Sequence, residues 1–215
     1  MAETTSVVDL SITSDLTKYQ AVIVLRRCDE PAAGLAKKVK TECRNKMSRT
    51  LFILGDSHVR YLRNYIQHID STIDIIDHFQ GGASLLQICN YLCETVSNED
   101  HVFVFGGTND IGRNSLSTLK PSLLKLFSKY LHAKFTFMLV PLRVQWNRQC
   151  YQNSAIVNFN KELEEFLGEQ DRPINILDTN QLLHAGHYSR DGLHLNRAGK
   201  QVVSKAIVSM FLCKS

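Results

Sequence analysis

From residue 50 onward, short apolar runs alternate with amphipathic helical stretches, and this alternation constrains the fold more than any other feature of the chain. The apolar runs fall at 50–54, 72–79, 102–105, 135–140 and 174–177. Between them the spacing predicts helices over 59–69, 84–96, 115–131 and 155–167, and a last helix capped by Asn196 that runs to about Phe211. In the first helix Val59, Leu62, Ile66 and Ile69 recur at the spacing of one face. In the second, Leu85, Ile88, Leu92 and Val96 do the same, and Pro121 is placed at the start of the main part of the third. Short, almost uniformly apolar strands separated by helices indicate a parallel sheet covered on both sides. Right-handed crossovers then give an α/β fold, a three-layer doubly wound sandwich with a parallel five-stranded sheet. Sites in such sheets form beyond the carboxyl ends of the strands. The unusual residues of this chain fall there.

The first part of the chain reads differently. Residues 1–50 hold nine Lys/Arg against six Asp/Glu, the larger part of a net charge of +4. Residues 1–48 are therefore expected to be an N-terminal tail or linker and 49–215 the folded domain. The run at 21–25 is too short for the hydrophobic part of a signal peptide, and no stretch approaches the ~20 apolar residues of a membrane span. A cytoplasmic location is the expectation. The six cysteines (Cys28, Cys43, Cys89, Cys93, Cys150 and Cys213) form no CxxC pair and no zinc-ligand pattern, so neither a disulfide framework nor a metal site is expected.

Four groups of residues carry chemistry. Gly55-Asp56-Ser57 follows the first strand where a helix is due to begin, so a serine there can present its hydroxyl beside unpaired N–H groups. Gly82 follows the second strand and lets the backbone approach a ligand. Gly107-Thr108-Asn109-Asp110 follows the third, and an asparagine amide can donate to an oxyanion without carrying charge. Asp191-Gly192-Leu193-His194 precedes the last helix. A serine nucleophile needs a base within hydrogen-bond reach, and the base needs a carboxylate to hold its tautomer. His184 and His187 are rivals, but only His194 has an aspartate at this short spacing. Taken singly, each group is explained as well by a helix cap or a turn. Their order along one sheet is what points to a site.

In that order the residues resemble the SGNH (GDSL-like) hydrolases. Gly55-Asp56-Ser57 matches the serine block, Gly82 the glycine block, Gly107–Asp110 the GxND block and Asp191–His194 the DxxH block. The resemblance spans roughly residues 50–213 and implies the flavodoxin-like fold of that family and a serine esterase without cofactor. Ser57 would be the nucleophile, His194 the base and Asp191 its partner. The Ser57 and Gly82 N–H groups and the Asn109 amide would form the oxyanion hole. His58 stands where many members have leucine, and it either faces solvent beside the site or contacts substrate. A weaker resemblance, in length and in the Asp-Gly-Leu-His-Leu-Asn ending, is to the esterase-like domains of animal retrotransposon proteins.

The substrate is less legible. Lipid esters, acetylated sugars and thioesters all fit the resemblance, and fold does not choose among them. The segment 142–152 follows the fourth strand and offers Arg143 and Arg148 for an anionic group and Trp146 for stacking, or it is a surface loop with one aromatic anchor. The alternative to an enzyme is a non-catalytic SGNH-like module that binds nucleic acid or protein, for which the basic N-terminal segment speaks.

Overall fold

The computed structural model describes residues 49–92, 94–144 and 151–213. Five strands, β1 (Thr50–Gly55), β2 (Asp74–Phe79), β3 (His101–Phe105), β4 (Lys134–Met138) and β5 (Asn175–Leu177), form one all-parallel sheet in the order β2-β1-β3-β4-β5. The parallel five-stranded α/β sandwich expected from the alternation is what the chain adopts. Every residue of β1 and β3 is buried, whereas β2 and β5, at the two edges, are only partly covered. Central strands buried on both faces have to be apolar throughout, which is why their sequences do not alternate.

The helices are α1 (Leu62–Ile69), α2 (Leu85–Ile88), α3 (Leu116–Lys129), α4 (Tyr151–Gly168), α5 (Thr179–Leu182) and α6 (Arg197–Leu212). α1 packs with α6, while α2, α3 and α4 pack in a row, so the two groups cover opposite faces of the sheet. Phe103, Phe105, Phe135 and Phe137 on β3 and β4 fill the middle of the core. No helix among the described residues is long and apolar enough to cross a membrane.

Three helices differ from the pattern read in the sequence. α1 starts at Leu62 rather than residue 59, because Tyr61 takes a left-handed conformation (φ 71) and the preceding residues form tight turns, Val59 N–H to the Asp56 carbonyl and Arg60 N–H to the Ser57 carbonyl. α2 stops at Ile88 instead of continuing to 96. There the Asn90 side chain takes the Leu86 carbonyl, and the Asn90 and Tyr91 N–H groups close three-residue turns. Asparagine competes in this way for backbone groups that a helix would need. Pro121 lies inside α3 and does not start it. Two short elements were not foreseen, α5 and a 3-10 turn over Ala185–His187. α6 begins where the sequence places it, with the Asn196 side chain accepting from Gly199 N–H at 3.1 Å.

Candidate active site

The strand order reverses between β1 and β3, because the chain leaves β1 toward β2 on one side and later adds β3 on the other. Loops that diverge at such a point leave a crevice at the carboxyl edge of the sheet. A cavity of ≈ 560 Å³ occupies that place, and Ser57, Gly82, Asn109 and His194 all line it.

Ser57 sits five residues ahead of α1, in the turn after β1, so the local N–H donors belong to that turn and not to a helix terminus. Its Oγ lies 3.1 Å from His194 Nε2. His194 Nδ1 is 2.6 Å from Asp191 Oδ2. With its hydrogen on Nδ1, the ring donates to Asp191 and keeps the Nε2 lone pair for the serine hydroxyl. The other carboxylate oxygen, Asp191 Oδ1, accepts the backbone N–H groups of Leu193 and His194, each at 3.0 Å. Partial burial works against the Asp191 charge. The hydrogen bonds from the His194 ring and from those two N–H groups outweigh it and bring the carboxyl down to about 2. Asp191 is thus a fixed negative charge behind the imidazole.

The loop carrying this pair is built to hold one shape. An antiparallel bridge joins Tyr188 to Leu195, Ser189 N–H donates to the His194 carbonyl at 2.7 Å, and Gly192 N–H to the Ser189 carbonyl at 2.9 Å. The chain after β4 pins the tip, with Val144 N–H donating to the Gly192 carbonyl at 2.8 Å. Gly192 has φ 65, and a Cβ there would run into the Val144 carbonyl oxygen. Only glycine satisfies both conditions. The sequence alone does not mark Gly192 as a functional position, although a glycine between two site residues is the signal for it.

On the opposite side of Ser57, Gly82 turns the chain with φ 79. Neither its N–H nor that of Ser57 has a protein acceptor among the described residues. The Asn109 amide donates to the Ala83 carbonyl at 3.0 Å and to Asp56 Oδ2 at the longer distance of 3.4 Å. Asp110 is buried and ties this loop to the next one, accepting Leu85 N–H at 2.7 Å and the Asn114 amide at 2.6 Å. Burial pushes its carboxyl upward, against the pull of the Asn114 and Leu85 hydrogen bonds. The Thr108 hydroxyl is buried at the cavity wall without a protein partner.

His58 does not face solvent, being 1% exposed, but it is one of the residues that line the cavity. Its Nδ1 lies 2.8 Å from Asp56 Oδ1, its Nε2 lies 3.2 Å from the Leu193 carbonyl, and its ring is stacked 5.8 Å from that of His194. Carbonyl and carboxylate are both acceptors. His58 therefore ties the end of β1 to the loop that carries His194. His184 and His187 lie against each other with ring centroids 3.7 Å apart, and neither lines the cavity. Arg143 is half-buried, its Nη1 donating to Gln152 at 2.6 Å, and it is not among the lining residues. Trp146 and Arg148 lie outside the described residues.

No family profile matches the sequence, and none of the curated proteins does. Solved structures do match. A candidate platelet activating factor from Streptococcus pneumonia aligns at TM-score 0.60 and 22% identity, over 79% of this chain and 86% of that one. A lipolytic protein of the G-D-S-L family from Veillonella parvula aligns at TM-score 0.59 and 16% identity, over 76% and 98%. Axe2, an acetylxylan esterase from Geobacillus stearothermophilus, aligns at TM-score 0.54 and 13% identity, over 77% and 95%. At these identities the likeness is one of fold. The chain has the α/β fold of the GDSL/SGNH hydrolases.

Proposed function

We propose that the protein is a serine esterase that hydrolyses a carboxylic ester through an acyl-enzyme intermediate. The observation that carries this reading is the linear arrangement of Ser57 Oγ, His194 and Asp191, linked at 3.1 Å and 2.6 Å at the edge of a cavity. In the first step the Ser57 oxygen attacks the ester carbonyl while His194 Nε2 takes the hydroxyl proton, and Asp191 stabilises the resulting imidazolium. The carbonyl oxygen becomes an oxyanion. The Ser57 and Gly82 N–H groups, unpaired at the cavity, are the donors available for it at once. The Asn109 amide joins them by giving up its long bond to Asp56. The tetrahedral intermediate then expels the alcohol, which takes the proton from His194. In the second half a water, deprotonated by His194, attacks the acyl-serine; the tetrahedral intermediate expels Ser57 Oγ, which takes the proton back from His194, and the acid is released.

The test is hydrolysis of short- and long-chain p-nitrophenyl esters by purified protein beside Ser57→Ala. Turnover that falls by about 10³-fold or more in the variant supports the reading. Turnover absent in the wild type, or equal in the two proteins, would favour the binding-module alternative.

A further inference from the structure

The cavity's wall on the α1–α6 side is cationic. Arg60 and Lys200 line it, and among the described residues no aspartate or glutamate does. Arg60 is exposed, and its guanidinium has no carboxylate partner among the described residues. The guanidinium lies across the glycine turn after β2, where a Cβ on Gly81 would stand 3.7 Å from Nη2. Lys200 belongs to the first turns of α6 and is half-buried. Its Nζ donates to the Arg60 carbonyl and sits 5.4 Å from the Tyr61 ring centroid. Burial first, and the Arg60 charge second, lower its pKa from the ordinary lysine value.

Three aspects of this wall cost stability as the protein stands. Two cations share one wall without an anion between them. Lys200 and Arg197 lie near the positive end of the α6 dipole, where acidic residues are favourable and none is present. Tyr61, between Arg60 and α1, holds a left-handed conformation at φ 71, one that a non-glycine residue adopts at an energetic cost. The turn it makes accompanies the bond from Lys200 to the Arg60 carbonyl. A cation pair held in place by a strained turn, in the same cavity as the nucleophile, is explained by an anion that arrives with the substrate.

We propose that the ester cleaved here carries an anionic oxygen group, a carboxylate or a phosphate, which Arg60 and Lys200 seat on the α1–α6 side of Ser57. This rests on the esterase reading above and adds the substrate class to it. Arg60 supplies a planar fork suited to two oxygens, and Lys200 a point charge beside it. A water-soluble acid ester and an anionic lipid present the same chemistry to the pair.

Three matched pairs of esters test it, each differing in the anion. They are p-nitrophenyl hydrogen glutarate against p-nitrophenyl pentanoate, 4-acetoxybenzoate against its methyl ester, and dihexanoyl phosphatidic acid against dihexanoylglycerol. The first two report a soluble acid, on the acyl or the alcohol side, and the third a lipid headgroup. In at least one pair the anionic member should be preferred in kcat/KM by about tenfold or more at low ionic strength. The preference should shrink in about 0.5 M NaCl. Arg60→Gln and Lys200→Gln should each cut that ratio by about tenfold. Should Lys200→Gln unfold for want of its bond to the Arg60 carbonyl, the exposed Arg60→Gln carries the test. Ser57-dependent turnover with no preference in any pair, or a preference that Arg60→Gln leaves intact, overturns the inference and spares the esterase reading. No Ser57-dependent turnover of any ester overturns both.

Discussion

At the scale of single residues the site is more tightly tied than a triad alone requires. Asp56 is fully buried, accepts the backbone N–H and the ring of His58, and touches the Asn109 amide. His58→Leu would take from this carboxylate its ring partner at 2.8 Å and from the Leu193 carbonyl its hydrogen bond to the end of β1. We expect a loss of about 2 kcal/mol in stability, the scale of a hydrogen bond to a buried charge. We also expect a lower kcat with KM little changed, because the position of His194 and not the binding wall is disturbed. His58→Gln, which keeps one donor, should recover part of both. Urea melts and steady-state kinetics check this; an unchanged kcat in the leucine variant would remove His58 from the positioning of the base. The sequence shows Ser57, Asn109 and the Asp191–His194 pair because each stands in a short block, the first two directly after a strand and the pair just before the last helix. It does not show what His58 does. The acceptor that decides this, the Leu193 carbonyl, is 135 residues away. Arg60 and Lys200 are hidden for the same reason, since they meet only where α1 packs on α6.

At the scale of elements, the loop from Tyr188 to Leu195 has to arrive in one conformation for the base to face Ser57. Gly192→Ala places a methyl group against the Val144 carbonyl oxygen in a left-handed backbone. The turn must then open, and with it the two N–H bonds that anchor Asp191. The expected result is a fall in kcat of at least about tenfold with far-ultraviolet dichroism unchanged, since the sheet does not depend on this turn. Full activity in the variant would show that the loop adapts. On the other side of the molecule β3 and β4 share a buried pair, His101 Nε2 and Thr136 Oγ1, at 2.7 Å. Burial foremost, then the charges of Arg49 and Lys134, lower the His101 pKa to about 3. The folded state therefore holds this ring neutral, whereas an unfolded chain protonates it below about 6.5. Between those values the unfolded state binds more protons, so stability is full above about pH 6.5 and is lost as the pH falls toward 3. The contribution is about 3 kcal/mol at pH 4. Comparing pH-dependent melts of the wild type and His101→Gln checks it, and equal acid slopes would contradict it. The helix boundaries were the least legible elements. Periodicity places Val59 and Leu92 on helix faces, and both are indeed buried, yet Val59 sits in a turn and Leu92 in the irregular segment after α2. An apolar side chain can reach the core from a turn as well as from a helix.

At the scale of the whole molecule, the alternation from residue 50 onward was enough to foresee a parallel five-stranded sheet, because strands buried on both faces leave a continuous apolar signature. Its strand order is not written in any single residue. The described core runs from Leu51 to Phe211 and is one cluster. Deleting residues 1–48 should accordingly leave a folded domain, with the melting temperature of 49–215 within a few degrees of that of the full chain and the esterase rate retained. Aggregation or a large drop would make the N-terminal segment part of the fold, for example as a strand added at the edge beside β2 or β5. In the proposed mechanism the three scales meet in a serine made nucleophilic by the loop before α6. The most direct measurement is covalent capture of that serine by a fluorophosphonate ester, followed by intact mass and peptide mapping. The account predicts one phosphonyl group per chain, located on Ser57, absent in Ser57→Ala and formed far more slowly in His194→Ala. Labelling at another residue, or none under conditions in which the protein is folded, would contradict it.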